Sequence, residues 1–70
     1  MPRLRPDQFS LLEPTFDRLR ATPDWHQYDE EAKALKLKAA FREESSAKIW
    51  DAFEPHDESW WRRAVYTLEL

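Results

Sequence analysis

Residues 28–55 read YDEEAKALKLKAAFREESSAKIWDAFEP, a run dominated by alanine, leucine, lysine and glutamate. All four are strong helix formers, because they lose little side-chain freedom in a helical turn. On a 3.6-residue period Tyr28, Ala32, Leu35 and Ala39 share one face, while Ala34, Leu37 and Phe41 form a second, narrower stripe. The spacing predicts a helix that is apolar on two sides, with lysines and glutamates filling the rest. Residues 42–53, REESSAKIWDAF, either continue that helix or restart it. Ser46 is a poor interior residue and a good cap, so a new start there is reasonable. A continuous helix would instead carry Ser46, Ile49 and Phe53 in phase with the Tyr28–Ala39 stripe. Pro55 ends it in both cases.

The rest of the chain extends the helical reading. Glycine and asparagine are both absent. Tight hairpins want backbone positions with φ > 0, which those residues mostly supply. The β-branched residues are only Thr15, Thr22, Ile49, Val65 and Thr67, too few for an ordinary sheet. The expected fold is all-α, a compact bundle of three to four short helices. Without glycine to terminate them, helices should stop at proline and at side-chain caps of the next start.

The first helix should begin near Pro6-Asp7 and present Phe9, Leu12, Phe16 and Leu19 as one stripe. Pro14 lacks an N–H and bears on the carbonyl of Ser10, so a kink or short break is expected there, the second half running to about Ala21. Thr22-Pro23-Asp24 looks like a second start, and Asp29-Glu30-Glu31 offers a later one for the same helix. A final helix capped by Asp57 would turn Trp60, Trp61, Ala64, Val65 and Leu68 to the core. The tail AVYTLEL also alternates, so a short C-terminal strand is the minority reading, with no partner strand in view.

Seventy residues allow one small domain, here with a short N-terminal arm over residues 1–5. A chain of this size buries only about 60% of its unfolded surface, so its core is thin. Cysteine is absent, which excludes disulfides and thiolate metal sites and makes a reducing, cytoplasmic compartment the default. No apolar run suits a membrane span, and MPRLRPDQF has no hydrophobic stretch behind its arginines to make a secretory signal.

The net charge is −3, from 14 acidic and 11 basic residues. That balance makes nucleic acid an unlikely partner, since phosphate binding needs a dense cationic face. Arg3 and Arg5 could touch phosphate, but Lys33, Lys36 and Lys38 are interrupted by acids and form no recognition helix. Only a mild acidic bias across residues 24–54 remains.

The stretch most like a site is EPHDESWWRR, residues 54–63. Catalysis there would need carboxyl or imidazole groups in a pocket. His56 between Pro55 and Asp57 reads instead as part of an exposed turn, with Asp57 as N-cap and Glu58 favoured by the helix dipole. No catalytic residue is assigned, and the chain reads as a non-enzyme. His26 and Glu30 form an i, i+4 pair that His56 with Asp57 or Glu58 could complete, yet nothing resembles HExxH, so no metal or other cofactor is assigned.

Tryptophan and arginine are enriched at binding hot spots, and Trp60 and Trp61 cannot readily both be buried in so small a domain. The leading expectation is a protein–protein interaction module, adaptor or inhibitor, docking through Leu37, Phe41, Trp60, Trp61, Arg62 and Arg63. Leu37 and Phe41 enter that face, or a homodimer contact, only if their helix lies at the edge of the bundle. A rival is a small phage-type inhibitor of a nucleic-acid-binding defence complex. It would act by steric block or by phosphate mimicry through Asp29, Glu30, Glu31, Glu43, Glu44 and Asp51. A subunit or assembly factor of a larger complex is the third reading.

Overall fold

Ser46 settles how residues 42–53 are organised. In the computed structural model, which describes residues 6–70, its side-chain oxygen accepts the Ile49 N–H and a new helix starts at Ala47. Among the described residues four α-helices follow in order: α1 (Pro6–Arg20), α2 (Glu30–Glu44), α3 (Ala47–Phe53) and α4 (Glu58–Glu69). A single 3-10 turn, Trp25–Gln27, lies between α1 and α2. No strand occurs among the described residues, and the C-terminal run that alternates in sequence is wound into α4. The N-terminal arm, residues 1–5, lies outside the described residues.

The helices stop without left-handed caps. No described residue has positive φ. α2 ends where Ser45 steps into extended backbone, and Ser46 stays extended as the cap of α3, so two serines make the whole connection. α3 ends at Phe53, two residues before Pro55, and Asp57 starts α4 by accepting the Trp60 N–H at 3.0 Å. Asp29 does the same for α2 through the Ala32 N–H at 2.8 Å. Each such cap contributes about 0.5–2 kcal/mol.

Two local expectations are settled by packing. Of the kink or short break expected at Pro14, the break does not occur, and α1 runs through the proline as one helix. The proline is exposed on the outer side, while Leu12, Thr15 and Phe16 are buried on the inner one. Burial of that inner stripe holds both halves of the helix against one core, which outweighs the lost hydrogen bond. Thr22-Pro23-Asp24 does not start an α-helix either. The Thr22 hydroxyl donates back to the Leu19 carbonyl at 2.6 Å and so closes α1. Asp24 precedes the 3-10 turn without a side-chain cap. That turn drops Trp25 into the core, edge-on to Phe16 at 5.6 Å and to Tyr28 at 6.4 Å.

The face of α2 is the main reversal. Its narrower stripe, Ala34, Leu37 and Phe41, is the buried one. On the wider stripe Leu35 and Ala39 are exposed, and Tyr28 and Ala32 are half-buried. α2 packs most extensively on α4 and also on α1, so its inner stripe faces both. One core results: Leu12, Phe16, Trp25, Ala34, Leu37, Phe41, Phe53, Trp61, Ala64 and Val65. The radius of gyration, 11.3 Å, matches the ~11 Å expected of a close-packed chain of this length.

Candidate functional site

α3 and α4 meet at a short turn, and aromatic side chains from both fill the corner it makes. Phe53, the last residue of α3, is fully buried and packs edge-on to Phe41 of α2 at 4.6 Å. Trp61 is also buried, stacked against Trp50 at 6.0 Å and edge-on to Trp60 at 5.0 Å. Trp60 is half-buried and completes the corner against Phe53 at 5.8 Å. Edge-to-face pairs of this kind add about 0.5–1.5 kcal/mol beyond the area they bury.

His56 closes the corner from the turn. Its imidazole lies parallel to the Trp60 indole, 3.9 Å away and tilted by 6°, with Phe53 edge-on at 5.9 Å. The exposed turn expected for this residue is therefore corrected: His56 is half-buried, and its Nε2 is buried without a hydrogen-bond partner. Removal from water pushes the His56 pKa below its ordinary value, partly opposed by the neighbouring Asp57 carboxylate. The Trp61 indole nitrogen is likewise buried without a partner, amid the surrounding rings.

The structure divides the residues proposed for docking. Leu37, Phe41 and Trp61 are core side chains, 0%, 4% and 1% exposed, so they are not available to a partner. Only Trp60, Arg62 and Arg63 reach the surface. At about 100° per residue, Arg63 lies roughly 60° around α4 from Trp60, whereas Arg62 lies roughly 160° away. Arg62 turns its guanidinium to the Ser59 hydroxyl at 3.5 Å, on that far side. Trp60 and Arg63 are what remains of the expected face.

No known family, curated protein or solved structure matches this chain. The site must be read from its own geometry.

The six acids of the rival reading do not gather. Asp29, Glu30 and Glu31 stand at the start of α2, Glu43 and Glu44 at its end, separated by about 20 Å at 1.5 Å per residue. Asp29 is occupied as a cap, and Glu44 accepts the Thr15 hydroxyl at 2.9 Å while pairing with Arg18. Asp51 stands apart on α3. His26 lies in the 3-10 turn and Glu30 on α2, so they do not share a helix face. Among the described residues no group of three His, Asp or Glu side chains is placed to hold a metal ion. None of the described helices is long and apolar enough to cross a membrane.

Two polar ties went unread in the sequence. Glu69 accepts from the Lys33 ammonium at 2.9 Å and from the Trp25 indole at 3.4 Å, and Lys33 also lies 5.4 Å from the Trp25 ring. These partners are 36 and 44 positions apart, and no local pattern connects them. Thr15, which reaches Glu44, could have been found. It falls in phase with Leu12, Phe16 and Leu19 and so belongs to the inner stripe.

Proposed function

We propose that this chain is a non-enzymatic helical protein that binds another protein through Trp60 and Arg63, in a reducing, cytoplasm-like compartment. The observation that carries the reading is the state of Trp60, a large ring left half-exposed yet braced by Trp61, Phe53 and His56. A side chain already fixed in position loses little freedom when a partner covers it, which is how preorganised anchors gain affinity. Tryptophan and arginine are also the types that dominate binding energy at interface centres. Arg63 is exposed and makes no ion pair among the described residues, so its guanidinium is free to meet an acidic or carbonyl-rich surface. The buried Phe53 and Trp61 hold the anchor from beneath, and Phe41 packs on both of them in turn.

The acidic-mimic reading is weaker on this geometry, because its carboxylates are split between the two ends of α2 and two of them are engaged in caps or pairs. The test is affinity capture from the native host with wild type, Trp60→Ala, Arg63→Ala and Leu35→Ala, each first checked for unchanged helicity. Partners held by wild type and Leu35→Ala but lost by Trp60→Ala and Arg63→Ala are expected. Retention of every partner by both anchor variants would end this proposal.

A further inference from the structure

We propose that the His56–Trp60 stack is an acid-sensitive latch, in which proton uptake expels the imidazole and bares the Trp60 ring face while all four helices stay folded. The inference does not depend on any partner. It rests first on the contact itself, two parallel rings 3.9 Å apart with the imidazole Nε2 buried and unpartnered. A neutral imidazole tolerates that position, since one of its nitrogens carries no proton. An imidazolium carries N–H donors on both nitrogens, and the one at Nε2 would be enclosed without an acceptor.

The surroundings offer no relief. α3 presents Phe53 to the imidazole and α4 presents Trp60, neither of them titratable. Asp57, next in the chain, is the charged group acting on His56, and its carboxylate already accepts the Trp60 amide. Glu54 and Glu58, the other acids near it in sequence, are exposed. A cation over an indole gains some attraction, but burying the imidazolium also strips its hydration, which disfavours the charged form. Burial already works against the charged form here, more strongly than Asp57 works for it.

The movement can stay local. The turn is held by the His56 amide donating to the Phe53 carbonyl at 3.0 Å, and α4 is capped by Asp57, both independent of the imidazole ring. Rotation about the His56 side-chain torsions therefore removes the ring without releasing either helix. The ring cover of Trp60 is lost, while Trp61 and Phe53 still support the indole from beneath.

Proton NMR of the full chain, titrated from about pH 8 to about pH 5, reads this directly, because imidazole changes charge in that interval. His56 ring protons should show the strong ring-current shift of stacking at the upper end and lose it as the ring protonates, with a midpoint below 6.5. Nuclear Overhauser contacts to Trp60 should vanish in step, while circular dichroism stays constant. His56→Phe keeps an aromatic cover with no titrating group, and its Trp60 signals should not respond over the same interval. Three results would each overturn the latch. These are a protonated His56 that keeps its Trp60 contacts, a Trp60 response that persists in His56→Phe, and loss of helicity in the same step as protonation.

Discussion

Leu35 and Leu37 stand two residues apart on α2, and exchanging either for alanine removes the same atoms and gains the same helix propensity. Only burial distinguishes them. Leu37 is 0% exposed in the core, and Leu35 is 47% exposed. Leu37→Ala loses the transfer free energy of a buried isobutyl group and leaves a cavity between α2, α4 and α1, about 2–5 kcal/mol. Leu35 has only about half its surface to lose from burial and leaves no enclosed cavity, so its substitution should cost under about 1 kcal/mol. A gap of at least about 1 kcal/mol follows, which is appreciable beside a total stability of roughly 4–10 kcal/mol at this length. In thermal melts that minimum should appear as a difference in Tm of about 4–8 °C, at 4–8 °C per kcal/mol for a domain of this size. Urea titration followed by circular dichroism gives the same gap through the midpoints, provided the slopes agree. Equal costs, or a larger one at Leu35, would mean that the Tyr28–Ala39 face is the packed one and that the core described here is inverted.

Other perturbations test the remaining elements. Asp57→Ala removes the acceptor for the Trp60 amide and should cost about 0.5–2 kcal/mol, with faster amide exchange in the first turn of α4; unchanged exchange there would show the cap to be idle. Glu69→Ala strips Lys33 and Trp25 of their shared acceptor and should cost about 1 kcal/mol. Part of that loss should fade in concentrated salt, and a fully salt-independent loss would assign the tie to the indole alone. His56 sets a pH dependence whose sign follows from its lowered folded pKa. As pH falls through 6.5 the unfolded chain takes up its proton first, so this stabilisation is complete above that value and declines beneath it. Urea midpoints of wild type should therefore drop between about pH 7.5 and about pH 5.5 relative to His56→Phe, and parallel behaviour of the two proteins would refute the assignment.

The helical class was legible because it depends on what backbone conformations the residues permit. A chain without glycine or asparagine has few ways to turn tightly, and its serines and aspartates mark helix starts by satisfying free N–H groups. Ser46, Asp57 and the later start at Asp29 could each be located that way. The start at Thr22 was misplaced because a capping motif describes a local preference, and burying Trp25 against Phe16 outweighs it. Pro14 did not break its helix for the same reason, its local penalty being exceeded by the packing of Leu12, Thr15 and Phe16.

The site was legible only in part. Trp60 and Arg63 were named, but alongside Leu37, Phe41 and Trp61, which the bundle encloses. Periodicity shows that α2 carries two apolar stripes, yet both satisfy the same pattern, and which one meets α4 is fixed by how helices from distant parts of the chain fit together. The stacking of His56 on Trp60 and the tie from Glu69 to Trp25 and Lys33 are of the same kind. Apart from the segment at Thr22, sequence determined where the backbone coils and where it stops, because those are short-range properties of neighbouring residues. Tertiary structure alone decided which side chains are covered and which ring is left facing water, because burial is set by contacts between residues that no local pattern joins.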